Sequence, residues 1–504
     1  MTMLNALKGS TNYAYTENGA ITHKSTLNVV LDLFALGAAY RTRTDEDCIF
    51  LFKKAYKLSP KYALKCLFYI RDIRGGQGER RFFRVCMKWL AQHDPVAVQR
   101  NMKYFSEYGR WDDLYCLEGT CLETAAFNIL KEQLLLDMTC NTPSLCAKWV
   151  KSENTSSKDT RRLATKTRMA LGMDHKHYRK MLSILRERIN VLERLMSSGK
   201  WEKIEFDKIP SKAGLIYKNA FARRDVIKAK YEKFAKDTTT KVNAAALYPY
   251  EVVEKAIEAT RYYGRGTSET DRAMINKYWD NLTDYFNGAT FNALAMVDTS
   301  GSMMGAPMNV AISLGLYCAE RMKGLFHNHY ISFSSRPQLI ECEGIDFVDK
   351  VKRIYSTNLC ENTNIEAAFD MLLHTAIRNR IPQSEMPQNI IVISDMEFDA
   401  ATGDTMGWFY NERRQRNGSS MNSANAETVM EGIARKWSQY GYILPHVIYW
   451  NVNARNDNIP AIGVNRISYI SGFSPSIFDS IMSGKDGIDL MLDKIDSVRY
   501  APIE

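Results

Sequence analysis

Up to about residue 285 the apolar positions recur at helical spacing; beyond it they gather into short unbroken runs separated by helical stretches. The spacing predicts helices over 25–40, 47–57, 60–73, 78–93, 94–105 and 111–117, with short connections marked by Gly, Pro or Asp. Further helices are predicted over 161–171, 178–197, 212–236, 249–259 and 268–283. Serial helix pairs of this kind predict a HEAT-like α-helical repeat array, although no strict sequence period is present. Residues 1–25 are polar and weakly patterned, and predict an extended arm. After residue 286, apolar runs around Leu294 and over 330–334, 390–393, 443–449 and 467–470 alternate with helices. That is the rhythm of a Rossmann-like parallel sheet covered on both faces. The expected fold is therefore α + α/β, with a helical domain over 1–285 and a parallel-sheet domain over 286–504. The polar, Asn- and Ser-rich stretch 413–425 predicts an insertion loop.

The apolar run 293–297 ends in Asp298, and hydroxyl residues follow at every second position, Ser300 and Ser302. A hard divalent cation requires oxygen ligands in a near-octahedral array. Alternate residues of one tight loop can aim a carboxylate and two hydroxyls at a single point. Two later segments offer more oxygen: Thr363, which opens a predicted helix, and Asp395, which ends the run 389–394; Thr357 is an alternative to Thr363. Asp and Ser are also favoured helix N-caps, which accounts for one of these residues but not for the set. The set resembles the metal-ion-dependent adhesion site of von Willebrand factor A domains. The resemblance implies that Ser300, Ser302 and Thr363 offer hydroxyls to Mg2+ or another divalent cation, while Asp298 and Asp395 act largely through water. It also implies open coordination positions that capture an Asp or Glu of an acidic protein partner. Glu397 and Asp399 predict an acidic rim.

A hydrophobic content of 45% with 25% charged residues is that of an ordinary globular protein. No run approaches the ~20 apolar residues of a membrane span, and the amino terminus lacks a signal-peptide layout. These features lead to an expectation of no membrane association and of a cytoplasmic site, with a nuclear one open. The 10 cysteines show no CxxC pair and read as reduced, mostly buried thiols. Charge changes the picture more. Residues 158–241 carry 23 Lys/Arg against 10 Asp/Glu, an excess of 13 in a chain of net +10, so the remainder is net 3 negative. The basicity belongs to one region.

Within and ahead of that region stand the residues expected to meet anions. Arg71, Arg74, Arg80 and Arg81 flank a turn with three glycines in four positions, Gly75, Gly76 and Gly78. Exposed amides beside arginines before a helix predict a phosphate-binding turn. A helix-hairpin turn with salt bridges to Asp72 and Glu79 fits the same residues. The turn lacks the pattern of a Walker loop. Further candidates are Arg161, Arg162, Lys166, Arg168, Arg179, Lys180, Lys212, Lys218, Arg223 and Arg224, with His175 and His177 as an anion-facing rather than metal-ligating pair. Interleaved Tyr178, Trp201, Tyr217, Phe221 and Tyr231 could stack on unpaired bases, or equally belong to the core.

In Gly109-Arg110-Trp111-Asp112-Asp113, Gly109 would end one helix and Asp112 cap the next. The order of helical repeats, Arg-flanked Gly turn, this motif and a terminal von Willebrand A domain resembles the TROVE proteins, the family of the Ro ribonucleoprotein autoantigen. It is similar above all to an uncharacterised TROVE-like group of viral and cellular chains, on Leu145-Cys-Ala-Lys148-Trp149, Ile209-Pro210-Ser211 with Tyr217 and Phe221, Leu247-Tyr-Pro249-Tyr, and Tyr449-Trp450-Asn451. The resemblance implies helical repeats closing into a ring, small structured non-coding RNA on the outside, and single-stranded ends of such or misfolded RNA entering the hole. The expected function is an RNA-binding scaffold rather than an enzyme. A metal-dependent protein-interaction scaffold is the alternative, and a metal-dependent nuclease the third reading. Against the nuclease, carboxylates are few, whereas two-metal phosphoryl chemistry requires several acids holding ions about 3.5–4 Å apart. His446, on a predicted strand, reads as core.

Overall fold

The structure, a computed structural model, describes residues 12–244, 247–261, 268–333, 336–357, 363–400, 427–462, 466–482, 484–485 and 487–504. The expected loop 413–425 lies outside the described residues. The described chain falls into two compact units, one drawn from 1–43, 248–261 and 284–494, the other from 44–247, 262–283 and 495–504.

The second unit is helical throughout its regular elements. Thr44 opens it: its hydroxyl accepts from the Asp47 amide (3.1 Å) while the Asp47 carboxylate accepts from the Thr44 amide (3.3 Å), a reciprocal box that starts helix Asp45–Leu58. Ser59 and Pro60 break the helix and restart it as Pro60–Arg71, and Arg81–His93 and Pro95–Asn101 follow. Phe68 meets Phe83, Phe105 and Tyr108 edge-on, ring centroids 5.2 to 6.0 Å apart. Two stretches that the spacing predicts as single helices are each divided. In 178–197, helix His175–Arg188 ends ahead of Asn190, which takes φ of +49°, and Leu192–Ser197 stands alone. In 212–236 the break at Arg224 separates Ser211–Arg223 from Asp225–Lys236. That fold-back lets Phe221, Tyr231 and Phe234 close on Phe206, centroids 5.1 to 5.6 Å apart.

The first unit begins with a hairpin, β1 (Tyr13–Tyr15) and β2 (Ile21–His23). Its sheet comprises β3 (Ala293–Asp298), β4 (His329–Phe333), β5 (Gln338–Glu341), β6 (Asn389–Ser394), β7 (His446–Asn451) and β8 (Ile467–Ser471). The order is β5-β4-β3-β6-β7-β8, with only the edge strand β5 antiparallel. Every residue of β3, β6 and β7 is buried, so both faces are covered. The fold class expected from the sequence is the one found. From β3 the chain moves to one side for β4 and β5, then returns to the other side at β6. The carboxyl ends of β3 and β6 thus flank the switch point, where open α/β sheets place their ligands. Helix Ala306–Arg321 approaches β3 so closely that a Cβ at Gly315 would meet Val297 Cγ2 at 2.3 Å. No helix among the described residues is long and apolar enough to cross a membrane.

The expected division at 285/286 needs correction at three places. Residues 12–43 pack with the sheet: His23 and Ile459 exchange backbone hydrogen bonds of 3.0 and 2.9 Å, and 13–23 form the hairpin instead of an extended arm. Helix Pro249–Arg261 belongs there too, with Tyr250 edge-on to Phe473 at 5.3 Å. Residues 495–504 complete the helical unit, where Arg499 and Tyr500 both bind the Asp72 carboxylate.

Gly315→Ala is expected to destabilise the protein by about 1–3 kcal/mol, because overpacking against Val297 outweighs alanine's helix preference. Denaturant unfolding checks this; equal or greater stability would contradict the close approach.

Candidate metal centre and basic surface

Asp298 ends β3 with no exposed surface, and both of its oxygens are engaged. Oδ2 accepts from the Ser394 hydroxyl (2.6 Å) and Oδ1 from the Ser300 amide (2.9 Å). The Ser300 and Ser302 hydroxyls lie 3.0 Å apart. Asp395 follows β6 directly, hydrogen-bonds the Ser302 hydroxyl, and accepts from the Glu397 amide at 3.2 Å. Its Oδ2 is buried without a hydrogen-bond partner, with Arg455 Nε 3.5 Å away. Buried Thr363 accepts the Asp399 amide on its carbonyl (3.0 Å), and the Asp399 charge is felt at Asp298. Asp298, Ser300, Ser302 and Asp395 are therefore joined in one cluster, while Thr363 meets Asp399 through its backbone. The side chain of Thr357, the alternative hydroxyl, lies outside the described residues.

Burial lifts the Asp298 carboxyl above its usual range, against hydrogen bonds from Ser394 and Ser300 that lower it. Burial, and then the Asp298 charge, push Asp395 up to about 6. Two buried carboxylates, the Ser300 and Ser302 hydroxyls and an orphaned oxygen are chemically of the kind a hard cation takes. Among the described residues no group of three or more His, Cys, Asp or Glu is placed to hold a metal, so a cation here would depend on the hydroxyls. Glu397 corrects the expectation of an acidic rim. It has no exposed surface, and its oxygens accept from the Glu17 amide (2.8 Å) and Asn456 Nδ2 (2.8 Å). The Glu17 carboxylate, on the turn between β1 and β2, pairs with Arg455. Sequence reasoning missed Glu17, Ser394, Arg455 and Asn456. Ser394 adjoins Asp395, but no spacing ties residue 17 to residue 455.

In the helical unit, burial sorts the predicted cations. Arg71 is 1% exposed and pairs with Asp113 through Nε (2.8 Å) and a terminal nitrogen (2.7 Å), so it is not placed to meet phosphate. The glycine turn is a packed hairpin turn, as in the second of its two expected readings, but Asp72 pairs with Arg499 and not with an arginine of the turn. The amides of Gln77, Gly78 and Glu79 donate to Tyr69, Asp72 and Ile70 carbonyls at 2.8 to 3.1 Å, and a Cβ at Gly76 would stand 2.0 Å from the Tyr69 carbonyl oxygen. Arg74 donates to the Glu107 carbonyl and Arg81 pairs with Asp45. Arg80 is exposed without a carboxylate partner among the described residues.

Arg162 pairs with Glu118, and Lys166 with Glu118 (2.9 Å) and Glu123 (2.8 Å). Arg168 and His175 share Glu153 at 2.9 Å each, and Lys218 stands 3.9 Å from Asp271. His177 turns to Asp174 (2.8 Å), so the two histidines serve separate carboxylates. Arg161, Arg179, Lys180, Arg223 and Arg224 are exposed and have no carboxylate partner among the described residues; Lys212 is exposed too. Of the interleaved rings, Tyr178, Phe221 and Tyr231 are core. Trp201 and Tyr217 remain half-exposed, Trp201 under the Arg224 guanidinium at 5.0 Å.

Two family models match the chain. A domain of unknown function, DUF2828, covers residues 16–123 and 133–288, and another, DUF7788, covers 292–498. The uncharacterized protein L728 of Acanthamoeba polyphaga mimivirus is 29% identical over 519 residues, spanning 94% of this chain and 85% of that one. Among solved structures, the Ro (RSR) protein of Deinococcus radiodurans aligns over 91% of this chain and 99% of that one, at 12% identity and a TM-score of 0.38. That correspondence is too loose to carry an argument about function.

The raised Asp395 carboxyl penalises the metal-free fold: stability falls as pH rises from the ordinary carboxylate value of 3.8 through about 6, and the loss is complete above it. In EDTA at pH 8, Asp395→Asn is therefore expected to stabilise the protein by about 1–3 kcal/mol. Added Mg2+ should raise the melting temperature of the wild type and not of the variant. A variant that melts lower than wild type in EDTA would contradict this electrostatic account.

Proposed function

The chain belongs to the DUF2828 family, and we propose that it is an RNA-binding scaffold rather than an enzyme. The observation carrying this is the set of exposed cations Arg161, Lys180, Arg223 and Arg224, uncompensated among the described residues, inside a region with an excess of 13 positive charges. Cations left without carboxylates are free to neutralise phosphates, and each phosphate neutralised releases counterions. The TROVE resemblance of the sequence motifs supplies the ligand class: small non-coding RNA with structured parts and single-stranded ends. A divalent cation, Mg2+ by preference, belongs to the proposal at Asp298, Ser300, Ser302, Thr363 and Asp395. The orphaned Asp395 oxygen favours it. A cation held there would also accept an acidic group of a protein partner, which is the second reading of that site.

Titration of a small hairpin RNA with the full chain tests the scaffold. Affinity is expected to fall roughly a hundredfold or more between about 50 and 200 mM salt, as for about five phosphate contacts. The combined variant Arg161→Glu, Lys180→Glu, Arg223→Glu and Arg224→Glu should lose most binding at the lower salt. Salt-independent binding, or a variant that binds like wild type, would sink the reading.

A further inference from the structure

A cleft of about 980 Å³ opens in the helical unit, at the upper end of ordinary ligand pockets. Its walls are the segment 148–155, helix His175–Arg188 and the short helix Leu192–Ser197. The wall segment is held firmly. Arg186 donates to the Ala147 and Val150 carbonyls and to the Ser152 hydroxyl at 2.8 to 3.0 Å, and the Tyr178 hydroxyl donates to the Lys151 carbonyl at 2.7 Å. Half-buried Trp149 stands in this wall, with the Arg110 guanidinium 4.2 Å from its ring centroid. The Gly109–Asp113 motif, read from sequence as a helix cap, thus builds the site. Arg110 backs the tryptophan, and Asp112 reaches the cleft to face Lys151 at 3.5 Å.

The charges of the cleft do not balance. Asp112 also binds Arg84 (3.1 Å), Glu153 is shared by Arg168 and His175, and Glu193, the third carboxylate of the lining, accepts from the Tyr217 hydroxyl at 3.3 Å. Of the cleft's cations, Arg186 is taken up by the Ala147 and Val150 carbonyls and the Ser152 hydroxyl, and Lys148, Arg179 and Arg194 are left without a carboxylate among the described residues. Arg110 has none within ion-pair distance there either, and burial, followed by the nearby Arg80 charge, holds its guanidinium below the ordinary value. A flat aromatic wall beside uncompensated cations matches a base with its flanking phosphates; an acidic peptide would use the cations and leave the ring idle. Bases stacked in a duplex are out of reach of such a wall.

We propose that this cleft takes unpaired nucleotides of a bound RNA, a base against Trp149 and flanking phosphates on Lys148, Arg179 and Arg194. It rests on the RNA-binding reading and adds where a single strand is recognised.

The test compares the full chain's affinity for an unstructured RNA of about 12 nucleotides and a blunt RNA duplex of about 16 base pairs, by fluorescence anisotropy. Trp149→Ala is expected to weaken single-strand binding about tenfold or more and to leave duplex binding unchanged, while Trp149→Phe retains most of it. Arg179→Glu with Arg194→Glu, both exposed and harmless to the core, should reproduce the single-strand loss. Unchanged single-strand affinity in Trp149→Ala and in the double variant overturns the cleft assignment, and so does an equal loss on both RNAs. Failure of wild type to bind either RNA overturns the scaffold reading itself. Wild-type binding of polyglutamate, abolished in the double variant with no RNA bound, would give the cleft to an acidic peptide instead.

Discussion

Two buried carboxylates organise the helical unit. Asp72 and Asp113 have no exposed surface, and a carboxylate in that position costs several kcal/mol unless it is paired and hydrogen-bonded. Arg71 and Arg84 grip Asp113, which also accepts the Arg110 amide. Asp72 takes Arg499, the Tyr500 hydroxyl and the Arg74 amide. Through Arg71 and Asp72, the end of one helix fixes the glycine turn, the Gly109–Asp113 motif and the last residues of the chain. Removal of Arg499 would leave Asp72 buried without its cation.

Elsewhere the matching is incomplete, and the two units are incomplete in opposite senses. The sheet unit crowds Asp298 and Asp395 at its switch point with one oxygen orphaned and Arg455 at 3.5 Å. The helical unit leaves Lys148, Arg179 and Arg194 lining the same cleft as a tryptophan. Matched charges here make architecture; unmatched ones mark where a cation or an anion from outside would lower the energy.

Legibility in the sequence followed distance along the chain. Helices and strands were readable because their periodicity is local, and so was the grouping of Asp298, Ser300, Ser302 and Asp395, which follow strand ends. Arg71 and Arg80 occupy the same turn and look alike in sequence, yet one is enclosed by Asp113 and the other faces solvent. Depth is set by partners dozens of residues away. The stacking of Arg110 on Trp149 and the pairing of His23 with Ile459 leave no local trace for the same reason. The breaks at Asn190 and Arg224 were hidden because an apolar stripe continues across them while the backbone turns.

The way each unit borrows a segment from the far end of the chain has a consequence for biosynthesis. A ribosome adding about 5–20 residues per second makes the strands and helix of residues 12–43 and then waits roughly 10 to 40 s before residue 248, their next partner, is made. The helical unit, almost entirely translated by residue 283, lacks Arg499 and Tyr500 until the whole of 284–494 has been made, so Asp72 stays unpaired with them on the nascent chain. Neither unit can close in the order it is made. The arrival of residues 495–504, rather than the emergence of a first domain, completes the packing of the helical unit.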